Sequence, residues 1–310
     1  MQQPLLVAGA GLAGTLLALD QHQRGHPIEV WDDASGAGCS RVAAGLFNPL
    51  LGPRMSADPG GWDLLEPAYR RWEELLGTKF FHPLTIKRPW VGSKVTAAHF
   101  PRSGLGWSAA ATDEGVCIEG GGWVNIPVLL DAARTFFRQQ GLLREQRLTT
   151  GEAIGRRVVW CGGLDDFTSG VWGLDPMVEG RWQGIRGDVL TVEAPECHQS
   201  WISIGSRFLL PLGGGRFRWG ATHEIDVVTR EEKPPMRERL VAELCLVPGI
   251  GEFRVVDHQW GIRPASRSRK PLIGRHSQHR DWFLFNGFAG KGVSTIPRYL
   301  GSTDPLIWVY

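Results

Sequence analysis

The stretch VAGAGLAGTLLALDQHQRGHPIEVWDD, residues Val7–Asp33, contains the pattern that decides the fold. A short apolar strand, Leu5–Ala8, leads into three glycines in G-x-G-x-x-G spacing and then into an apolar helical run. A second strand, Ile28–Trp31, ends at Asp32. Strand, glycines, helix, strand and acidic residue in this order are typical of a Rossmann-type dinucleotide-binding unit.

Each glycine of this pattern has its own physical role. Gly9 permits a tight turn, Gly11 lets the backbone approach a pyrophosphate, and Gly14 lets the helix lie close to the sheet. The helix N-terminus offers free N–H groups and the positive end of its dipole to phosphates. Asp32 is placed to accept hydrogen bonds from a ribose. The sequence therefore predicts the adenosine half of a dinucleotide site.

Composition restricts the class of protein. The chain has 310 residues, 42% of them hydrophobic, which is enough for a large core in one domain or two intertwined ones. A formal net charge of +2 gives no indication of a nucleic-acid partner, and no apolar run is long enough to span a membrane. The sequence shows no signal-peptide pattern, and its five cysteines are scattered without a C-x-x-C motif. We therefore expect a cytoplasmic protein with reduced thiols.

Helix and strand signals are unevenly distributed along the chain. Helical spacing predicts helices over Trp62–Leu76, Val128–Gln139 and Pro235–Leu246. Strand-like segments are Phe80–Trp90, Arg157–Cys161, Asp188–Glu193, Trp201–Ile204, Arg207–Leu210, Arg216–Gly220, Phe253–Ile262 and Trp282–Asn286. The four segments between residues 188 and 220 lie close together with Gly-rich turns, which indicates an antiparallel sheet. Early parallel-sheet signals, a middle antiparallel region and a late glycine-rich turn predict two domains with crossed chain paths. The cofactor domain is expected to be built from both ends of the chain.

Four parts of the sequence resemble the D-amino-acid oxidase family of FAD-dependent oxidoreductases, which includes glycine oxidase and sarcosine oxidase. They are the fingerprint Gly9–Asp32, SRVAAGLFNP (Ser40–Pro49), RRVVWCGG (Arg156–Gly163) followed by IRGDVLTV (Ile185–Val192), and GIRPASRSRKPLIGRH (Gly261–His276) followed by FNGFAGKGVSTIP (Phe285–Pro297). These stretches occur in the order of the family and together span nearly the whole chain.

The resemblance implies an α/β fold, with a Rossmann-like FAD-binding domain and an interleaved antiparallel-sheet substrate domain. The discontinuous FAD-binding domain is expected to comprise residues 1–55, 120–178 and 257–310. The substrate domain is expected to comprise residues 56–119 and 179–256.

The resemblance also implies the activity, which is oxidation of the C–N bond of an amine-bearing carboxylic acid by hydride transfer to flavin N5. The expected substrate is a D-amino acid, a glycine derivative or an imino acid, and the electron acceptor is oxygen or is unknown. Arg263, in a strand and followed by Pro264, is expected to bind the substrate carboxylate. The alternative for Arg263 is a structural salt bridge to a local Asp or Glu.

Two further residues are candidates for the substrate side of the site. His223 lies in a segment that borders the substrate side of the flavin in relatives, and the alternative is an ordinary strand or turn histidine. Lys291 follows glycines that let backbone N–H groups face the flavin pyrimidine, where it could supply a fixed positive charge. The alternative for Lys291 is a solvated surface lysine.

The cofactor is expected to be FAD, bound non-covalently because no cysteine lies near the C-terminal signature. The residues expected to bind it are Gly9, Gly11, Leu12, Ala13, Gly14, Asp32, Asp33, Ser40, Arg41, Ala43, Ala44, Gly45, Leu46, Cys161, Gly162, Gly163, Arg263, Gly287, Phe288, Ala289, Gly290, Lys291, Gly292 and Val293. No metal site is expected, since the pairs His22/His26 and His276/His279 have no cluster of further ligands around them.

The sequence departs from the family pattern at Ser268, where many relatives have an acidic residue after the Arg-Pro pair. This departure puts the interactions of the loop in doubt. Two other functions stay open at this point. One is a flavoprotein of the same fold with a tailoring or non-catalytic redox-sensing role. The other is an NAD(P)-dependent dehydrogenase, disfavoured because cofactor-type glycines recur near the C-terminus.

Overall fold

A computed structural model describes residues 3–302 except 34, 36–37, 53–54, 58–61, 91–105, 173–174 and 232. The helices are α1 (Leu12–Gln23), α2 (Cys39–Val42), α3 (Trp62–Leu76), α4 (Ile126–Gln139), α5 (Thr150–Ala153), α6 (Leu164–Thr168), α7 (Pro234–Leu244) and α8 (Gly292–Ser302), and a short 3-10 helix spans Ala289–Lys291. The strands are β1 (Leu5–Ala8), β2 (Ile28–Trp31), β3 (Leu46–Phe47), β4 (Leu50–Leu51), β5 (Ser56–Ala57), β6 (Phe81–Pro83), β7 (Ile86–Pro89), β8 (Ser108–Ala111), β9 (Gly115–Glu119), β10 (Gly122–Val124), β11 (Leu143–Arg144), β12 (Val158–Trp160), β13 (Trp182–Glu193), β14 (Ile202–Ile204), β15 (Phe208–Gly213), β16 (Arg216–Gly220), β17 (Glu224–Ile225), β18 (Arg254–Ser266), β19 (Leu272–Arg275) and β20 (Trp282–Asn286).

The first sheet joins the two ends of the chain. Its strand order is β11-β2-β1-β12-β20-β19, and all neighbouring pairs are parallel except β19 with β20. Strand β12 pairs with β1 on one side and with β20 on the other. The predicted meeting of the N-terminal fingerprint with the C-terminal segment is confirmed.

The strands at the centre of this sheet are buried on both faces. All four residues of β1 are buried, and so are all residues of β12 and β20. Leu5 and Val7 pack into one apolar cluster, whereas Leu6 and Ala8 pack into another on the opposite face. Alternate side chains of a strand point to opposite faces, so these continuous apolar runs fit a parallel sheet covered on both sides.

The second sheet is large and mostly antiparallel. Its path is β17-β13-β16-β15-β14-β7-β9-β8, and β18 pairs with β13 along almost its whole length. Both long strands exceed their predictions, since β13 begins at Trp182 rather than Asp188, and β18 continues to Ser266 rather than ending at Ile262. The extension of β13 includes Arg186, whose side chain is buried. Its ion pair with Asp188 offsets the cost of burying an arginine inside the sheet.

The interleaved arrangement of the two sheets gives the predicted fold class. The antiparallel sheet receives strands from residues 86–119 and 182–266, between segments that build the parallel sheet. Residue 257, one of the predicted boundaries, lies inside β18, and the strands after Ser266 belong to the first sheet. Parts of the predicted ranges 1–55, 56–119, 120–178, 179–256 and 257–310 lie outside the described residues, and the division into these ranges stays a prediction.

The helices follow their local signals closely. Helix α3 has the predicted bounds, and α4 begins at Ile126 rather than Val128 because the Asn125 side chain accepts a hydrogen bond from the Val128 N–H. Helix α7 begins at Pro234 and ends at Leu244, two residues before the predicted end. Over the ranges that the structure describes, we found no helix with the length and apolarity needed to cross a bilayer.

Candidate functional site

A cavity of about 1060 Å³ lies where the carboxyl ends of the parallel strands meet the antiparallel sheet. Its wall contains Asp32, which follows the N-terminal fingerprint, and Arg263, which lies in the C-terminal part of the chain. It also contains the backbone of the first glycine turn, the segment after β12 and the segment after β20. Ligand sites of open α/β sheets form at this edge of the sheet, so the topology makes this cavity the candidate site.

The three N-terminal glycines have the geometry that their spacing predicts. Gly9 has a φ of +101°, and a Cβ on Gly14 would lie 1.9 Å from the Gly9 carbonyl oxygen. A Cβ on Gly11, in contrast, would meet, among the described residues, only the Ser40 hydroxyl, at 3.4 Å, and Gly11 is part of the cavity wall. The Ser40 hydroxyl also accepts a hydrogen bond from the Leu12 N–H at 3.1 Å. Gly14 therefore packs the helix on the strand, and Gly11 leaves the backbone accessible to a ligand.

The acidic residues after β2 lie in the wall near this turn. Asp32 accepts hydrogen bonds from the Ala10 N–H at 2.8 Å and from Arg134 at 2.9 Å. The backbone N–H of Ser35 is the main cause that lowers the pKa of Asp33. The Asp33 carboxylate is therefore negatively charged at neutral pH, and the oxygens of both side chains suit hydroxyl donors such as those of a ribose.

The small-residue loop after α2 is fixed by close backbone packing. Gly45 has a φ of +71°, and a Cβ there would lie 1.9 Å from the Val124 carbonyl oxygen. The Ala43 carbonyl accepts a hydrogen bond from Arg218 of the antiparallel sheet at 3.1 Å. Arg41 instead forms an exposed ion pair with Asp131 at 2.7 Å. The loop backbone thus borders the cavity, and the Arg41 side chain pairs elsewhere.

A buried carboxyl group connects the ends of β12 and β20. Asp166 accepts hydrogen bonds from the Gly162 N–H at 2.8 Å and from Asn286 at 2.9 Å, and Asn286 also donates to the Gly163 carbonyl. Burial raises the pKa of Asp166 to about 7, although these hydrogen bonds favour its charged form. Asp166 and Asn286 were not predicted as site residues, yet both are part of the cavity wall.

The C-terminal glycine segment contributes uncharged residues to the cavity wall. Phe288, Ala289, Gly290, Gly292 and Val293 are part of the wall. The Lys291 side chain is exposed and is not in the wall. This placement corresponds to the surface alternative for Lys291.

Arg263 projects from β18 into the wall, where burial lowers the pKa of its guanidinium from the usual value. It donates to the Thr222 carbonyl at 3.3 Å. Within the part of the chain that the structure describes, no carboxylate oxygen lies within 4.0 Å of its nitrogens. The predicted alternative, a structural salt bridge, is thus not found among those residues.

His223 follows Thr222 in the sequence and also lies in the cavity wall. Burial lowers the pKa of its imidazole, and the positive charges of Arg263 and Arg207 lower it further. A neutral imidazole therefore stands beside the Arg263 cation at neutral pH.

The structure brings most of the predicted residues together. Those in the cavity wall are Gly9, Gly11, Leu12, Ala13, Asp32, Asp33, Ser40, Ala43, Ala44, Gly45, Leu46, Cys161, Gly162, Gly163, His223, Arg263, Phe288, Ala289, Gly290, Gly292 and Val293. Those outside it are Gly14, Arg41, Gly287 and Lys291. Whether each binds a cofactor or substrate stays a prediction.

Several wall residues were missed by sequence reasoning, among them Gly187, Trp260, Thr222 and Arg147. A glycine inside the strand-like run IRGDVLTV is the one signal that could have identified Gly187, since a glycine within a strand often marks a place where a ligand or another backbone comes close.

For metals, the described ranges contain no group of three or more His, Cys, Asp or Glu able to hold an ion.

Comparison with known proteins agrees with this geometry. The chain is similar to an oxidoreductase of Rhizobium etli named for thiamine biosynthesis, ThiO, with 24% identity over 96% of this chain and 94% of that protein. Its fold is similar to that of glycine oxidase from Geobacillus kaustophilus, with a TM-score of 0.73, 19% identity and coverage of 96% and 93% of the two chains. It is also similar to iminodiacetate oxidase from Chelativorans sp. BNC1, with a TM-score of 0.72, 17% identity and coverage of 98% and 94%.

A family model described as "FAD dependent oxidoreductase" matches residues 5–299, almost the whole chain. The open backbone at Gly11, the acidic residues after β2 and the continuous cavity fit the dinucleotide that this description names. The protein is therefore a member of the DAO family of FAD-dependent oxidoreductases, as its sequence motifs predicted.

Proposed function

We propose that the protein oxidises the C–N bond of an amine-bearing carboxylic acid, such as a D-amino acid, a glycine derivative or an imino acid. One observation carries the proposal. Arg263 is a cation in the cavity wall, and no described carboxylate lies within 4.0 Å of it. A largely buried cation without a nearby counter-charge is costly, so a ligand carboxylate is its natural counter-ion.

The residues around Arg263 suit the other end of such a substrate. His223 is neutral at neutral pH because burial and two neighbouring arginines lower its pKa. It therefore adds no positive charge that would repel a substrate amine. Trp260, Phe208 and Val189 supply apolar wall, which excludes water from the bound substrate.

The FAD cofactor supplies the two-electron acceptor when it is bound. The glycine turn at Gly11 and the hydroxyl of Ser40 would face its pyrophosphate, and Asp32 would face its adenosine ribose. We propose that the cofactor is bound non-covalently. Acid precipitation should then leave all of the yellow colour in the supernatant, and flavin retained in the pellet would contradict this part of the proposal.

A substrate panel tests the reaction. Purified, FAD-loaded protein is mixed anaerobically with D-amino acids, glycine, N-methylglycine and iminodiacetate, and the flavin absorbance is followed. At least one of these compounds should bleach the flavin and be converted into its imine or the hydrolysed carbonyl product. If no amine-bearing acid bleaches the flavin, the proposed activity is wrong. Air admitted afterwards shows whether oxygen serves as the electron acceptor.

The role of Arg263 is tested with the reactive compound. Replacing Arg263 by Ala should raise KM about 100-fold, because charge-assisted hydrogen bonds to the carboxylate are lost. The matched control is Arg267→Ala, which removes an exposed arginine paired with Asp226 outside the cavity wall. Equal KM values for the Arg263 variant and the control would reject the role of Arg263.

A further inference from the structure

The Arg263 guanidinium occupies the place where a neighbouring strand has no side chain. In the antiparallel pair of β13 and β18, Ile185 stands opposite Arg263, and Gly187 stands opposite Gly261. A Cβ on Gly187 would lie 1.6 Å from Nη2 of Arg263, 2.7 Å from Cζ and 3.2 Å from Nε. Gly187 is buried and is part of the cavity wall. Even a methyl group at this position therefore excludes the observed position of the guanidinium.

A second contact fixes the other side of the guanidinium. Nη2 of Arg263 donates to the Thr222 carbonyl at 3.3 Å. The Thr222 N–H donates to the Asp188 carbonyl at 3.1 Å, and the Asp188 N–H donates to the Thr222 hydroxyl at 2.8 Å. That hydroxyl in turn donates to the Asp188 carboxylate at 2.9 Å. Thr222 is thus held to β13 directly beside Gly187.

The Asp188 carboxylate of this network has its own partners. Asp188 accepts two hydrogen bonds from Arg186, each 2.9 Å long, and its Oδ1 lies 3.2 Å from Nε2 of His258. The Arg186 guanidinium also lies over the Trp260 ring, 4.2 Å from its centroid. Arg186 and Asp188 thus pair with each other on the face of β13 opposite to that of Gly187 and Arg263.

We propose that Gly187 is the positioning residue for Arg263, with Thr222 and Asp188 as its support. The missing Cβ provides the space in which the guanidinium lies, and the Thr222 carbonyl sets its orientation toward the cavity. This inference rests on the proposed function, in which Arg263 binds the substrate carboxylate. It assigns to Gly187 a role that acts on the substrate through Arg263.

The variant Gly187→Ala tests this role without a large effect on the fold. Gly187 does not have a left-handed φ, so alanine is compatible with its backbone. The atoms that alanine would meet belong to the far end of a flexible side chain, which moves more readily than backbone. The guanidinium is therefore expected to be displaced while the protein stays folded and keeps its FAD.

The readout is binding of glycolate, a carboxylate in which a hydroxyl replaces the amine of glycine. Calorimetry on FAD-loaded protein should give a Kd at least tenfold weaker for Gly187→Ala than for the unmodified protein. With the reactive substrate, KM should rise by a similar factor while kcat changes less than threefold. The matched control is Gly205→Ala, outside the cavity wall, where the new Cβ would lie 3.7 Å from its nearest neighbour, Pro89. Its glycolate Kd should stay within twofold.

A double-mutant cycle separates positioning from a general effect on the cavity. In the Arg263→Ala background, adding Gly187→Ala should change the glycolate Kd less than twofold, because the group to be positioned is absent. An additive loss in the double variant overturns the inference, and so does an unchanged Kd for Gly187→Ala alone. If Arg263→Ala alone leaves glycolate binding intact, the proposed role of Arg263 fails, and the inference fails with it.

A pair of Thr222 variants provides the test if Gly187→Ala does not fold. Thr222→Val removes the hydroxyl that links Thr222 to Asp188, and Thr222→Ser keeps it. Valine should weaken glycolate binding at least fivefold, and serine should leave it within twofold. Equal glycolate Kd values for the two variants overturn the inference.

Discussion

Arg186 and Asp188 form a two-hydrogen-bond ion pair inside β13, and the side chains of both residues are fully buried. They are two positions apart on one strand, so their side chains lie on the same face of the sheet. Each charge depends on the other, since neither has access to water. The pair therefore stabilises β13, the strand that carries Gly187 on its opposite face.

Breaking this pair should destabilise the protein strongly. Asp188→Asn leaves the Arg186 cation buried without its counter-charge, and we expect the free energy of unfolding to fall by about 3–5 kcal/mol. Urea denaturation followed by tryptophan fluorescence measures the change. The control is Asp226→Asn in the exposed pair with Arg267, which should cost less than about 1 kcal/mol. Equal losses would show that the buried pair has no special role.

The buried carboxylate of Glu73 should make stability depend on pH in the acidic range. Burial opposes its ionisation, but hydrogen bonds from the Phe81 N–H, Arg70, the Phe80 N–H and Lys79 outweigh burial and lower the pKa to about 2, from 4.5. The unfolded chain therefore takes up this proton first as the pH falls. The resulting stability, about 3 kcal/mol, is fully present above pH 4.5 and is lost as the pH falls toward 2.

The variant Glu73→Gln isolates this contribution. The difference in unfolding free energy between it and the unmodified protein should be largest at pH 7 and should shrink steadily between pH 4.5 and pH 2. Glu66→Gln, at an exposed position on the same helix, serves as the comparison. A difference for Glu73→Gln that is independent of pH over this range would mean that the ionised carboxylate is not its cause.

Replacing Gly14 by Ala should separate α1 from β1. The added Cβ would lie 1.9 Å from the Gly9 carbonyl oxygen, a backbone atom that cannot move without opening the turn. We expect a loss of at least about 3 kcal/mol and of FAD binding, measured by denaturation and flavin content. Gly151→Ala in α5, where the nearest neighbouring atom is 4.0 Å away, should have neither effect. Retained flavin at normal stability in Gly14→Ala would contradict the packing argument.

The variant Asp32→Ala should weaken FAD binding selectively at the adenosine end. Loss of the hydrogen bonds that the ribose hydroxyls would donate to the carboxylate corresponds to a decrease in affinity of about 10- to 100-fold. FMN lacks the adenosine, so its affinity for the apoprotein should change less than twofold. Fluorescence titration of the apoprotein with each flavin measures both. An equal decrease in FMN affinity would mean that Asp32 acts through the fold and not through contact with the adenosine ribose.

Some of the site could be predicted because its determinants are local. The turn at Gly9, the helix packing at Gly14 and the acidic residue after β2 all depend on spacing within one βαβ unit, and the structure shows each of these features. The burial of β1, β12 and β20 followed from continuous apolar runs for the same reason. Whether Lys291 could place its charge near the flavin, in contrast, depended on the direction of its side chain. The spacing of the neighbouring glycines does not define that direction.

By itself, the sequence determined the dinucleotide turn, the family and the presence of an arginine suited to a carboxylate. Only the tertiary structure decided that Arg263 lies over Gly187, that Asp188 is already paired with Arg186, and that Asp166 connects the ends of β12 and β20. The physical reason is the range of the interactions. Backbone turns and helix starts are set by residues a few positions apart, whereas the partners of a side chain in a cavity are set by strand pairing between distant segments of the chain.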